Sequence, residues 1–454
     1  MISTRITKRI LIGVIDFLIL SASLYLALSL RNLEFIASSE YLRIFKPFLI
    51  IISLNLLVFY MYGLYDKMTV KIYQELNQRI LTGQILSSIL GAIIFYTVPL
   101  FSIAPKTILI IYIFISSLLI FVWRKNVGII FKSNAKNKIL LVAEGKELSE
   151  LKEEIAQNKI LNVSKVDCLD LSAEDGLNLY AKIKSKIEEE DFNMLAVNMH
   201  HPHIKNSISL FYELLLEKVE VVNFADLYEE IFQKIPLENI DAGWFFNNLY
   251  LKKGRFYENA KRALDLLLAI PAFLISLLFY PFVWLGLKIQ DRGRLFYISE
   301  RIGKNNQPFK IYKFRTMTDL KNTEIDSTSK NEIKRVTQFG SFLRKTRIDE
   351  LPQLINIIKG DLSLIGPRPE VPPLVAEYSK QISFYGIRHT VTPGLSGYAQ
   401  IYQERKSIPK FGIATDATKE KLSYDVYYLK HRSLLMDMSL ILRTIRNILS
   451  KSGV

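Results

Sequence analysis

Only one cysteine, Cys168, occurs in 454 residues. This excludes a disulfide framework and a cysteine-built zinc or iron–sulfur site. A glycine-rich phosphate loop is also missing. The first strand-like run, Lys138 to Ala143, is followed by Glu144, Gly145, Lys146 and Glu147, one glycine where a dinucleotide site needs three for its tight turn and close pyrophosphate approach. Histidine is scarce, and His200, His201 and His203 flank Pro202 with no carboxylate cluster beside them, which reads as an exposed loop and not as a metal site. No base-reading motif accompanies the net charge of +15, so nucleic acid is not an expected partner. What is abundant is apolar: 50% of residues are hydrophobic and 12% aromatic, too apolar for disorder, and the length suggests about three domains.

Charge divides the chain. Residues 1–136 hold 14 basic and 5 acidic side chains, 137–250 hold 11 and 21, and 251–454 hold 34 and 18, for net charges of +9, −10 and +16. The first part contains apolar runs at about 10–30, 47–65, 80–101 and 107–123, each near the ~20 residues that a ~30 Å hydrocarbon core requires. Four transmembrane helices are therefore expected in 1–136. Arg5, Lys8 and Arg9 precede the first run, Lys67, Lys71 and Arg79 separate the second and third, and Arg124, Lys125, Lys132, Lys136 and Lys138 follow the fourth. That distribution predicts both termini on the cytoplasmic side. Asp16, alone in the first run, is expected to make an interhelix hydrogen bond. Residues 137–250 alternate short apolar runs (138–143, 193–198, 219–222) with amphipathic stretches, the pattern of a small Rossmann-like α/β domain with a parallel sheet, here without a dinucleotide motif.

Residues 263–287 form a fifth apolar run, long enough to span. Lys261 and Arg262 precede it and Lys288, Arg292 and Arg294 follow it, so both flanks favour the cytoplasmic side. Pro281, with Pro271 as a second weak point, removes a backbone donor inside the run. A re-entrant, monotopic anchor broken at Pro281 is expected.

Beyond it the chain reads Lys313-Phe314-Arg315-Thr316-Met317, Thr346-Arg347-Ile348-Asp349-Glu350-Leu351-Pro352-Gln353-Leu354, Gly360-Asp361-Leu362-Ser363-Leu364-Ile365-Gly366-Pro367-Arg368-Pro369-Glu370, Thr392-Pro393-Gly394-Leu395-Ser396-Gly397, Tyr424-Asp425-Val426-Tyr427-Tyr428 and Ser433-Leu434-Leu435-Met436-Asp437. These motifs, in this order over about 261–448, closely resemble the bacterial sugar transferases, monotopic phosphoglycosyl transferases that load a sugar phosphate onto undecaprenyl phosphate. Four spans and an α/β domain ahead of them look like the large subgroup described by its undecaprenyl-phosphate galactose phosphotransferase members. The resemblance implies a mostly helical catalytic domain at 251–454, at the bacterial cytoplasmic (inner) membrane. It also implies an aspartyl nucleophile, Asp349, with Glu350 assisting in metal or proton transfer, and a homodimer. Departures exist: Arg294 follows Gly293 where the family usually has Pro, Ser299 stands where Gln is common, and Asn306 replaces a Gly. They bear on loop shape and sugar preference.

The residues make chemical sense on their own. Asp349 and Glu350 precede a helix expected over 352–358, with Leu354, Ile355 and Ile358 as its buried stripe. Carboxylates and phosphates are both favoured at a helix N-terminus. A carboxylate attacking a phosphoryl group needs charge compensation, and Mg²⁺ typically takes one or two carboxylates plus substrate phosphates, here Asp349 and Glu350. Lys313, Arg315 and Arg368, followed by Arg301 and Arg347, are the candidate phosphate contacts, since guanidinium binds phosphate bidentately and Lys acts as a point charge. The expected partners are a nucleotide diphosphate sugar, a polyprenyl phosphate lipid and the membrane. One rival is a membrane-anchored nucleotide-sugar dehydratase or epimerase, for which Tyr180 with Lys184 and Tyr257 with Lys261 have the right spacing; the missing glycines speak against it. A catalytically inactive scaffold of a polysaccharide assembly complex is the other, and the intact Asp349–Glu350 pair speaks against that.

Overall fold

The computed structural model describes residues 2–65, 76–97, 106–130, 137–157, 163–173, 179–205, 208–249, 254–290, 294–318, 336–403 and 415–449. Lys67, Lys71, Lys132, Lys136, Arg292, Gly293 and positions 98–101 of the third apolar run, all used above, lie outside the described residues. The chain forms two compact units, Met1–Phe224 and Ala225–Val454.

Among the described residues, four helices open the first unit: α1 (Ile2–Asn32), α2 (Ser38–Met61), α3 (Leu76–Thr97) and α4 (Lys106–Ile130). They follow the four apolar runs with different ends. Helix α2 begins nine residues before Pro47 and carries that proline inside it; Glu40, Arg43 and Lys46 hide its first turns from a hydropathy reading. Among the described residues, the stretches long and apolar enough to cross a membrane are Leu11–Asn32, Ser38–Met61, Thr107–Asn126 and, in the second unit, Arg255–Gln290. Helix α3 is diluted by Gln78, Arg79, Gln84, Ser87 and Ser88. Asp16 does join helices: it pairs with Arg124, accepts from the Tyr65 hydroxyl at 2.8 Å and from Trp123 Nε1 at 3.1 Å. Arg124, counted above among the flanking cations, is thus buried inside the bundle, where its second amino group reaches Leu64 O at 2.8 Å. A charge at membrane depth is tolerable when paired in this way.

Behind the bundle in sequence lies a four-stranded parallel sheet of order β2-β1-β3-β4, with β1 at Asn137–Ala143, β2 at Val163–Asp170, β3 at Met194–Val197 and β4 at Glu220–Asn223. Strands β1, β3 and β4 were legible as apolar runs. Edge strand β2 was not, because Ser164, Lys165 and Asp167 interrupt its apolar side chains. His201 lies beside Glu144, Nε2 to Oε1 at 2.6 Å, at the C-terminal end of β1, a local pairing and not a metal cluster.

The second unit starts earlier than the charge pattern suggested. Ile235, Trp244, Phe245 and Leu249 bury against Tyr378, Ile382, Tyr385, Leu422, Val426 and Leu429, so residues 225–249 supply one wall of its core. The fifth apolar run is a helix Arg255–Ser276, a 3-10 turn Leu277–Phe279 and a helix Tyr280–Gln290. The turn ends just before Pro281, which cannot donate to the Leu277 carbonyl. One face of the run is buried along its length, through Lys261, Asp265, Ala269, Ser276, Val283 and Leu287, while Leu267, Leu274, Leu278, Phe282 and Leu285 are exposed on the other. Hairpin β5–β6 (Phe296–Ile302, Pro308–Phe314) and the parallel pair β7–β8 (Ser363–Ile365, Gly394–Ser396) complete an otherwise helical unit.

Candidate active site

Helix Gln338–Thr346 stops at Arg347, whose φ of 59° is left-handed. Such a conformation costs a non-glycine residue about 1 kcal/mol or more and persists only where surroundings enforce it. The reversal feeds a 3-10 turn, Ile348–Glu350, and then helix Gln353–Lys359. Asp349 and Glu350 therefore sit in the turn before the helix. The buried face of that helix differs from the expected one: Gln353, Leu354, Asn356 and Ile357 are buried, whereas Ile355 and Ile358 are half-buried. Apolar periodicity overlooks Asn356, which is fully buried because its side chain accepts from Tyr312 N at 3.2 Å and donates to Lys310 O at 2.7 Å. That docking fixes the dyad against β6, the strand that carries Lys313.

Arg368 arrives from another direction. The backbones of residues 366 and 394 approach so closely that a Cβ on Gly394 would lie 2.1 Å from Gly366 N, so both positions require glycine. The turn they form presents Arg368. Its carbonyl accepts from Arg388 Nη2 at 3.0 Å, and Arg388 is itself buried against Asp425 at 2.9 Å.

These elements bring three cations onto Glu350: Arg368 Nη2 at 2.9 Å and Lys313 Nζ at 3.2 Å on Oε1, and Arg347 Nη1 at 3.5 Å on Oε2. The neighbouring carboxylates are driven apart in acidity. Burial pushes Asp349 up, and the adjacent Glu350 charge adds to that, to about 6. Burial also pushes against ionised Glu350, but Arg368 and Lys313 outweigh it and hold the group at about 2.

A cavity of about 490 Å³ opens over the pair, lined by Tyr297, Arg301, Lys313, Arg315, Thr316, Arg344, Arg347, Asp349 and Glu350 among others. Of the five predicted phosphate contacts, Lys313, Arg315, Arg301 and Arg347 line it, and Arg368 reaches it through Glu350. Arg315 Nε donates to Arg294 O at 2.8 Å and Arg301 Nη1 to Pro369 O at 3.5 Å. Sequence reasoning missed Arg344, which donates to Thr316 Oγ1 at 2.9 Å; its place in the last turn of a basic amphipathic helix looks like surface charge. The hard oxygen donors of Asp349 and Glu350 suit Mg²⁺ bound jointly with substrate phosphates. Among the described residues no three His, Cys, Asp or Glu side chains converge.

The two Tyr–Lys pairs of the dehydratase reading serve as structural ties. Tyr180 and Lys184 share Glu213 Oε2 at 2.6 and 3.3 Å. Tyr257 and Lys261 share Asp437 Oδ2 at 2.9 and 3.1 Å.

Comparison with known proteins places the chain in a family. A model of the bacterial sugar transferase family matches residues 256–451. The exopolysaccharide production protein PSS of Rhizobium leguminosarum bv. phaseoli is 35% identical over 190 residues, which are 41% of this chain and 92% of that protein. The chain belongs to the bacterial sugar transferase family. Other relatives within reach of this transferase are the UDP-N-acetylgalactosamine-undecaprenyl-phosphate N-acetylgalactosaminephosphotransferase of Aeromonas hydrophila, 40% identical over 43% of this chain and 45% of its own, and the UDP-glucose:undecaprenyl-phosphate glucose-1-phosphate transferase of Xanthomonas campestris pv. campestris, 33% identical over 48% and 43%. The match thus spans less than half the length of these last two relatives.

Proposed function

We propose that this sugar transferase moves a sugar 1-phosphate from a nucleotide diphosphate sugar, UDP-linked, to undecaprenyl phosphate, initiating a surface polysaccharide or glycoconjugate. The observation that carries the reading is the division of labour at the dyad: Glu350 is neutralised by Arg368, Lys313 and Arg347, while its neighbour Asp349 lines the cavity with a carboxyl raised to about 6. At neutral pH Asp349 is ionised yet more basic than an ordinary aspartate, which suits a nucleophile. An Oδ of Asp349 would attack the sugar-linked phosphorus, break its bond to the bridging oxygen and release UMP. An oxygen of the lipid phosphate would then attack the same phosphorus and restore the carboxylate. Glu350, held at about 2, remains anionic throughout and is better suited to orienting cations than to moving protons. Lys313, Arg315, Arg301, Arg347 and Arg368 would compensate phosphate charge. Mg²⁺ held by Asp349 and Glu350 would supply further charge neutralisation at the diphosphate.

In this reading the 263–287 run is re-entrant. In support, one face of the helix pair is buried against its own domain at intervals from Lys261 to Leu287, while its exposed apolar face suits the hydrocarbon boundary. Both termini and the active site then lie on the cytoplasmic side of the inner membrane. The parallel β2-β1-β3-β4 order supports a Rossmann-like fold for residues 137–250. Following the resemblance, we take the enzyme to act as a homodimer. Membranes containing the protein, incubated with undecaprenyl phosphate and a panel of nucleotide sugars, should release UMP with at least one sugar; release with none would refute the assignment.

A further inference from the structure

A second cavity, about 230 Å³, adjoins the dyad at Glu350. Ala272, Leu354, Leu395, Ile401 and Ile448 give it apolar walls, and Arg347 and Glu350 line it as they line the phosphate cavity. We propose that it receives the first isoprene units of the acceptor lipid, with the lipid phosphate at Arg347. This inference rests on the transferase reading above.

The acceptor carries an anion at one end of a hydrocarbon chain, so its site must offer a cation beside an apolar channel. Arg347 meets the first need: its left-handed backbone sets it between the two cavities. Glu350 would repel a phosphate, but Arg368 and Lys313 already neutralise it at 2.9 and 3.2 Å. The walls meet the second. Ala272 comes from the 255–276 helix and Ile448 from the helix Leu434–Leu449. Both helices present exposed apolar side chains, Leu274 and Ile275 on one, Met438, Ile445 and Ile448 on the other. A prenyl chain seated here can continue along apolar surface into a bilayer. A bulk acyl chain could fill the same walls, but only a lipid with a terminal phosphate monoester brings a phosphate oxygen to the phosphorus carried by Asp349.

The full-length protein in nanodiscs should be photolabelled with undecaprenyl phosphate carrying a diazirine in its first isoprene unit. Label is expected in 395–401 and 444–448, displaced by unlabelled undecaprenyl phosphate and not by excess phosphatidylglycerol. In Thr444→Phe, which fills the cavity from the 434–449 helix, the KM for the lipid should rise about tenfold or more while the KM for the nucleotide sugar stays put. Label confined elsewhere, equal displacement by phosphatidylglycerol, or an unchanged lipid KM in folded Thr444→Phe would each overturn the proposal. If Thr444→Phe does not fold, the photolabel on the unmodified protein decides. Labelling at the cavity in a protein that transfers no sugar would refute the transferase reading and leave the cavity assignment standing, whereas transfer with label elsewhere would do the reverse.

Discussion

Arg368 donates from Nη2 to Glu350 Oε1 at 2.9 Å, and that contact ties up one of two adjacent carboxylates. With Lys313 and Arg347 also committed to Glu350, Asp349 keeps its charge uncompensated by any direct ion pair among the described residues. A substrate phosphate and its metal would complete the balance.

Asp349→Asn is expected to abolish UMP release while the protein stays folded and membrane-bound, since an amide cannot form the acyl phosphate. It should also be more stable. Burial and Glu350 raise Asp349 from 3.8 to about 6 in the folded protein. Its contribution to stability is therefore full below about pH 4 and is lost as pH rises through 6, up to about 3 kcal/mol at pH 7. A lower melting temperature for Asp349→Asn at pH 7, in substrate-free and metal-free protein, would contradict this.

Glu350→Gln removes the anchor for three cations and half of the proposed metal donors. Turnover should fall by about 100-fold or more. Chelating Mg²⁺ should stop UMP release by the unmodified enzyme, and added Mg²⁺ should restore it. Activity that survives exhaustive chelation would remove the metal from the mechanism.

Glu370 gives the clearest pH dependence of folding. Burial opposes its ionisation, but Lys421 and Arg388 prevail and lower it from 4.5 to about 2. A depressed carboxylate stabilises above the unfolded value, so the contribution is present above about pH 4.5 and lost as pH falls towards 2. Its size is about 3 kcal/mol. Denaturant titrations from pH 7 to 3 should show the loss in the natural protein and a flatter profile in Glu370→Gln.

Topology can be read with thiols. Lys261 is a poor probe site because it is buried on Asp437, but Arg255 and Arg294 are exposed at the two ends of the apolar run. Cysteines placed there, with Cys168 replaced, should both resist an impermeant reagent in intact cells and both react in inverted vesicles. Opposite labelling would mean a true span.

Much of this was legible in the sequence, for identifiable reasons. The nearness of Lys313 to the Asp349–Glu350 pair was expected from the quoted motifs, and strands β1, β3 and β4 are short apolar runs. Asn356, Arg344 and the Arg388–Asp425 pair were not legible, because a polar residue that docks one element on another breaks no local pattern and announces itself only through its distant partner. The role of Arg124 was hidden for the same reason: its partner, Asp16, lies 108 positions away. Gly366 and Gly394 stood in the quoted motifs, yet only the parallel pairing of β7 with β8 shows that no Cβ fits there.

Residues 225–249 decide what a truncated enzyme must contain. Acidic composition groups them with the α/β domain, and the family match begins only at residue 256. Yet Trp244 is buried, stacked edge-on against Phe245 with 5.4 Å between ring centroids, and Phe245 in turn meets Phe384 at 4.4 Å. Glu229, which burial disfavours but His431 and Lys430 hold in its charged form, ties the same segment to the 415–431 helix. Removing the Trp244 side chain alone costs about 3 kcal/mol or more, a large share of the 5–15 kcal/mol, roughly, that stabilises a domain. A chain that starts at Ala225 should therefore remain folded, bind membranes through residues 263–287 and release UMP with the sugar nucleotides that the full protein uses. A chain that starts at Arg255 should aggregate or melt well below it. If the shorter chain is as stable and active as the longer, the 225–249 wall is dispensable; if the longer is folded but inactive, residues before 225 contribute to the chemistry.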